Sequence, residues 1–202
     1  MSISLRLNAK DRDLTMSTTV NHIKNTPSQY GWLSIAFHWV SALTIIGMYP
    51  LGWYIDTLTY YDPAYRTVPD IHRGIGIILA LVILSRLAWR FISPPPASLP
   101  QPPALKAISH LVHLGLLALV VVVIVSGYMI STADGRSISV FGWFEVGAID
   151  FGINQQEDIA GAVHWYAATT LVCLAGLHAA AALKHHIIDK DATLKRMLGL
   201  NQ

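Results

Sequence analysis

Four stretches of mostly apolar residues alternate with polar connections along the chain. Each is long enough to cross the hydrocarbon core of a bilayer as an α-helix, which takes about 20 residues for roughly 30 Å. The pattern therefore predicts four transmembrane helices. They run from about Trp32 to Tyr54, Ile71 to Phe91, Ala107 to Ile130 and Gly161 to Ile188.

The connections between these stretches predict how the helices are arranged. Residues 56–70 form a short acidic connection, 93–103 (SPPPASLPQPP) a proline-rich one, and 131–160 a longer loop with glycine and aromatic residues. Proline lacks an amide donor and breaks helices, so the second connection is an exposed loop. Helices joined by short connections usually lie antiparallel. The predicted fold class is an all-α integral membrane protein, a four-helix transmembrane up-down bundle.

The pattern also divides the chain into three parts. Residues 1–30 are predicted to be a disordered cytoplasmic tail, because they lack the apolar core of a secretory signal. Met16 within them is a candidate for an alternative start, which leaves open whether the residues before it belong to the native protein. Residues 31–190 form the transmembrane domain, and residues 191–202 a cytoplasmic C-terminal tail.

Composition supports the membrane class. Hydrophobic residues make up 53% of the chain and charged residues 13%, whereas soluble domains carry about 25% charged residues. A lipid bilayer is therefore the expected partner, and nucleic acid is not. The single cysteine, Cys173, excludes internal disulfides and cysteine-built zinc or iron–sulfur sites.

Positive charge predicts the orientation of the bundle. Eleven of the 14 Lys and Arg residues fall in the two tails, the proline-rich loop and the adjoining helix ends, and only Arg66, Arg73 and Arg136 fall on the other side. The side rich in Lys and Arg is normally cytoplasmic. Both termini are therefore predicted to be cytoplasmic, and a bacterial chain would lie in the inner membrane with the other two connections in the periplasm.

Four histidines lie within the predicted spans. Ionisable residues are costly there and usually functional. His164 and His178 are 14 residues apart on the fourth helix, which corresponds to about 21 Å and nearly four turns. They therefore project from similar faces toward opposite membrane surfaces. By depth, His38 matches His178 near the cytoplasm, and His72 matches His164 near the periplasm.

Two histidine pairs stacked across a membrane suit two b haems, because imidazole is a standard axial ligand of haem iron. Filling both axial positions favours electron transfer over oxygen activation. For any one of these histidines taken alone, a hydrogen-bonded packing role is the alternative. A non-haem membrane anchor or a histidine-lined metal transporter is the corresponding alternative for the whole chain.

Further basic residues lie near these levels. Arg73 and Arg86 are placed to pair with haem propionates, since a guanidinium matches a carboxylate; anchoring to the membrane surface is the alternative for both. His113 is predicted to line the cytoplasmic haem pocket, and His110 to be interfacial. His185, within the cluster Lys184–His186, is a candidate for binding a quinone carbonyl or relaying its proton, unless the cluster only contacts headgroups.

The chain resembles the bacterial cytochrome b561 family of di-haem membrane proteins from about Asn25 to Leu200. The motifs that carry the resemblance are AFHWVSA, IHRGIGIILALVILSRLAWRFISPPP, HLVHLGL and GLHAAAALKHHIIDKDATLKRML. The resemblance implies two b haems, with His38 and His178 as ligands of one and His72 and His164 as ligands of the other. It also implies exchange of electrons with ubiquinone, so that quinone is an expected partner.

The resemblance leaves the periplasmic reaction open. One type of member oxidises superoxide and reduces quinone, so a superoxide:ubiquinone oxidoreductase is one hypothesis. The segments NTPSQYGWLSIAFHW, LTYYD and ISTADGRSISVFG are more similar to a branch found beside small periplasmic isoprenoid-binding proteins. The periplasmic segments also carry eight acidic residues against three arginines, a net charge of −5, which repels a small anion. A di-haem conduit between the quinone pool and a periplasmic redox partner or small molecule is the leading hypothesis.

Overall fold

The computed structural model describes residues 22–200 and contains four long helices. These are α1 (Trp32–Thr57), α2 (Thr67–Ile92), α3 (Pro103–Ser131) and α4 (Gln156–Lys184). All four are long and apolar enough to span a membrane, so the predicted four-helix fold is confirmed. Helix α1 begins at the predicted Trp32, whereas α2, α3 and α4 begin four or five residues earlier than predicted. The first turns of α2 and α4 are polar, with Asp70 in α2 and Glu157 in α4. Residues 1–21 of the predicted N-terminal tail lie outside the described residues.

The interior of the bundle is small, and most apolar side chains face outward. A buried cluster of Leu79, Ile83, Val120 and Leu171 joins α2, α3 and α4. Large apolar side chains such as Leu84 are exposed on the outer faces of the helices. Exposed apolar surface of this extent is unfavourable in water. It is the surface expected of helices that contact lipid.

One end of the bundle gathers both terminal segments and the proline-rich connection. The side chain of Asn25 donates to the carbonyl oxygen of Ser93 (2.8 Å). The indole N–H of Trp39 donates to the carbonyl oxygen of Met197 (2.8 Å), and Arg196 donates to that of Ala97 (3.0 Å). We call this the tail end; it is the end predicted to be cytoplasmic.

The tail end contains two elements that were not predicted. Directly after α4, residues His185–Asp189 form a π-helical turn, and Thr193–Met197 form a short helix, α5. The α5 residue Arg196 is only 7% exposed and lies over the ring of Tyr30 (5.9 Å). The segment predicted as a C-terminal tail is therefore packed against the bundle as far as the structure describes it.

The opposite end contains a β-hairpin, β1 (Ile138–Val140) and β2 (Phe144–Val146), within the loop between α3 and α4. The strands are antiparallel, with Ile138 opposite Val146. Strand β1 packs against α2, and Val140 is completely buried. The sequence predicted only a loop here. We call this the hairpin end; it is the end predicted to be periplasmic.

Candidate functional site

At the hairpin end, α2 and α4 bring His72 and His164 together. Their ring centres are 6.2 Å apart and their planes are inclined by 68°. Two imidazoles that bind one metal ion from opposite sides, each through a bond of about 2 Å, have ring centres about 6 Å apart. The structure therefore places this predicted pair at the separation that an iron ion between them requires.

The His164 ring is held in place by α3. Its Nδ1 atom lies 2.9 Å from the carbonyl oxygen of Val123 and 3.2 Å from the hydroxyl oxygen of Ser126. Only a donor can bond a carbonyl oxygen, so we place the ring proton on Nδ1. The Nε2 atom is then the free acceptor. Metal-binding histidines usually have this arrangement, in which the second nitrogen donates to a backbone or carboxylate oxygen.

Gly127 provides the space for this ring. A Cβ atom at Gly127 would lie 3.0 Å from Cε1 of His164, which is closer than an ordinary contact. A side chain on α3 at this position would therefore push the imidazole away from Val123. Ser126 and Gly127 were not predicted as site residues. In the sequence, these two residues could have been recognised as a polar residue next to a small one within the otherwise apolar α3.

We expect Gly127→Ala to weaken retention of a haem at the hairpin end about 10-fold, the scale on which residues that orient metal ligands usually act. The measurement is the haem remaining per chain after competition with a haem-binding apoprotein. Gly115→Ala is the matched control on the same helix, because its Cβ would meet Leu174 at an ordinary 3.5 Å. Equal retention by the two variants would contradict the role given to Gly127.

His72 shows a second sign of a ligand site. Its Nδ1 atom is buried and has no hydrogen-bond partner among the described residues. Leaving a buried polar group unpaired costs about 1–3 kcal/mol. The imidazole therefore fits a site in which it is engaged by a bound group.

At the tail end, three histidines and an arginine share one neighbourhood. Arg86, His113 and His178 all lie close enough to His38 to interact with it electrostatically. The rings of His113 and His178 are in edge contact, with centres 5.0 Å apart. This distance is shorter than the roughly 6 Å needed for a metal ion between two imidazoles. His113 and His178 therefore pack against each other directly.

The predicted partner of His178 is His38. Within residues 22–200, the ring contacts of His38 include Trp39 (5.3 Å) but not His178. The structure thus brings His38 and His178 to the same region without bringing their rings into contact. The pairing of these two histidines stays a prediction.

The two arginines predicted to pair with propionates differ in their surroundings. Arg73 forms an ion pair with Asp70 one turn earlier on α2. Arg86 lies beside the tail-end histidines and has no ion pair with the described part of the chain. Arg86 is therefore the more available of the two for an anionic group.

His185 lies in the π-helical turn, among residues that could bind a cation or a proton. Its Nδ1 atom is 2.7 Å from a carboxylate oxygen of Asp191 and 3.0 Å from one of Asp189. Burial raises the pKa of Asp191, but hydrogen bonds from Thr193 and His185 outweigh this effect and lower it. Asp189 also accepts from Lys184 (2.6 Å). These aspartates were not predicted as site residues. Their positions four and six residues after His185 were the feature of the sequence that could have indicated them.

The fold and the histidine pair define a class of protein: a helix bundle whose helices can span a membrane and which brings two histidines from different helices together. The sequence profile of the prokaryotic cytochrome b561 family matches residues 29–200. The chain belongs to this family. It is accordingly a bacterial multi-pass membrane protein that binds haem b and transfers electrons.

Three relatives cover most of the chain. Cytochrome b561 homolog 2 of Escherichia coli K12 is 49% identical over 176 residues, which cover 87% of this chain and 94% of the relative. The probable superoxide oxidase CybB of Yersinia pestis is 28% identical, over 84% of this chain and 96% of the relative. Cytochrome b561 homolog 1 of E. coli K12 is also 28% identical, over 85% and 97%. The predicted family is confirmed, and haem binding sets aside the non-haem anchor and the metal transporter.

Proposed function

We propose that this chain conducts electrons across the bacterial inner membrane between the ubiquinone pool and a periplasmic redox partner or small molecule. The observation that carries the proposal is the separation of 6.2 Å between the rings of His72 and His164. This pair lies at the hairpin end, and a second group of histidines lies at the tail end. Ligand groups at both ends are what conduction across a bilayer requires.

Three of the four helices would supply the haem ligands. We assign His72 and His164 as ligands at the hairpin end, and His38 and His178 as ligands at the tail end. Haem b, when bound, supplies reversible one-electron chemistry. A haem held by two histidines would have no position free for oxygen.

Of the remaining predicted residues, Arg86 and His113 would serve the tail end and Arg73 the hairpin end. Arg86 has no ion pair with the described residues, and we assign it to a propionate there. His113 would line this site through its contact with His178. Arg73 would serve the hairpin end if a propionate displaced Asp70 from it.

Quinone would bind near the tail end. His185 is held between the carboxylates of Asp189 and Asp191, which gives it a route for taking up or releasing a proton. Reduction of a quinone consumes protons as well as electrons, and a histidine with these partners can supply them. The bias of Lys and Arg toward this end supports its cytoplasmic location.

The experiment is electron transfer across a sealed membrane. Purified protein should show a reduced b-type spectrum with two haems per chain. In liposomes that enclose an impermeant oxidant, reduced ubiquinone should bring about reduction of the enclosed oxidant only when the protein is present. A spectrum with a single haem, or no transfer to the enclosed oxidant, would contradict the proposal.

A second candidate is oxidation of superoxide with reduction of ubiquinone, favoured by the 28% identity to the probable superoxide oxidase of Yersinia pestis. The net charge of −5 at the hairpin end opposes it, because electrostatic steering of an anion requires a positive surface. Superoxide generated outside the liposomes should reduce the haems and release oxygen if this candidate is right.

A further inference from the structure

The turn of the β-hairpin has an unusual backbone. The amide of Trp143 donates to the carbonyl oxygen of Val140 (2.9 Å), and the two residues between them, Phe141 and Gly142, have φ values of 51° and 73°. Positive φ at both central residues is the pattern of a type I′ turn, which favours asparagine followed by glycine. A bulky residue at the first of these positions is strained, and such outliers cluster at functional sites. Residues 141–143 are called the hairpin tip below.

The strained conformation presses the Phe141 ring against α2. A Cβ atom at Gly74 would lie 2.9 Å from this ring, so only glycine leaves room for it. Gly74 is two residues from His72, the α2 member of the hairpin-end pair. On its other side, the Phe141 ring is 5.7 Å from the ring of Trp143, which is 75% exposed. A continuous aromatic contact therefore leads from solvent to the helix that carries His72.

The hairpin end as a whole carries a net negative charge of −5, and Glu145 lies in strand β2 next to the tip. The three arginines at this end include Arg73 and Arg136, which form ion pairs with Asp70 and Asp134. Most carboxylates at this end have no cationic partner among the described residues. The carboxylates at this end are Asp56, Asp62, Asp70, Asp134, Glu145, Asp150, Glu157 and Asp158.

We propose that the hairpin tip is the docking surface for a soluble electron-transfer protein with a positively charged surface patch. An exposed aromatic centre within a charged rim is the usual composition of a protein interface, and opposite charges steer the encounter. A bilayer is the less suitable occupant, because anionic lipids attract basic segments and this surface is acidic. The proposal rests on the proposed function and specifies the chemistry of its partner.

The exchange at this surface is a single electron transfer. The partner's redox centre loses one electron as the chain gains one, or the reverse, and no bond forms or breaks. The proposed role of Phe141 and Trp143 is to give the partner its closest approach to the hairpin-end histidines.

The test uses mitochondrial cytochrome c, a basic soluble haem protein, as the probe. Holoprotein in liposomes is reduced with dithionite, freed of excess reductant and mixed rapidly with oxidised cytochrome c. We expect the rate to fall roughly 10-fold or more between about 10 and 200 mM salt, because screening removes the attraction between the two surfaces. Cytochrome c whose lysines are succinylated should react slowly at every salt concentration. A rate that does not depend on salt would overturn the proposal.

Two variants locate the surface. Trp143→Ala should slow the reaction with cytochrome c about 10-fold, as for an aromatic residue at the centre of an interface. Glu145→Gln removes one charge, keeps an acceptor for the hydroxyl of Ser137 (2.7 Å) and should reduce the salt dependence. Trp32→Ala is the matched control, since Trp32 is exposed at the tail end. Equal rates in the Trp143 and Trp32 variants would overturn the proposal.

The bilayer alternative and the proposed function have separate readouts. The emission of Trp143, taken as the difference between the unaltered chain and Trp143→Phe, should be quenched by acrylamide in the water. Quenching by brominated lipid chains instead would show that the tip inserts into the bilayer, which overturns the docking surface.

Loss of the two-haem spectrum would count against the proposed function, whereas an intact spectrum with a salt-independent reaction counts only against the docking surface.

Discussion

Replacing His164 with alanine is expected to leave one haem per chain in place of two. His164 is fixed by Val123 and Ser126 on α3 and faces His72 at the separation of a shared metal ion. A single remaining imidazole holds haem far less tightly than two. The haem lost should be the one at the hairpin end, so electrons from reduced ubiquinone should no longer cross the membrane.

The measurement is haem per chain by the pyridine method, together with a redox titration of the purified protein. His164→Ala should titrate as a single component and the unaltered chain as two. His110→Ala is the matched control, because His110 is exposed on α3 and is assigned no ligand role. Two components in His164→Ala would refute the ligand assignment at the hairpin end.

The bundle could be predicted because a membrane imposes a simple rule on the sequence. A segment that crosses hydrocarbon must satisfy its backbone internally and be apolar over about 20 residues. The β-hairpin follows no such rule. Its strands are three residues long, too short for an alternating pattern, and its turn has phenylalanine where asparagine or glycine would have been a signal. Only packing against α2 shows why this segment is ordered.

The depth of the histidines could also be predicted, because the rise of a helix is fixed at about 1.5 Å per residue. Their lateral contacts could not. Which side chain meets His178 depends on how the four helices rotate and tilt against one another, and this is decided by packing along their whole length. From spacing along single helices, His113 could be predicted only as a residue that lines the site. The structure places its ring in contact with that of His178.

The tail end gives the second large expected effect. His178→Ala and His38→Ala should each remove the tail-end haem, leave the hairpin-end haem in place and abolish electron transfer from quinone. His113→Ala should keep both haems, although His113 is the histidine in direct ring contact with His178. The reason is distance: rings with centres 5.0 Å apart leave too little room for an iron ion, which requires about 6 Å.

Haem content and redox titration of the three variants decide between the two possible pairs. If His113 were the ligand, His113→Ala would titrate as one component and His38→Ala as two. If His38 is the ligand, His38 and His178 would hold the haem, and His113 would line the site. The His38 and His178 variants should then share one spectrum that His113→Ala does not show.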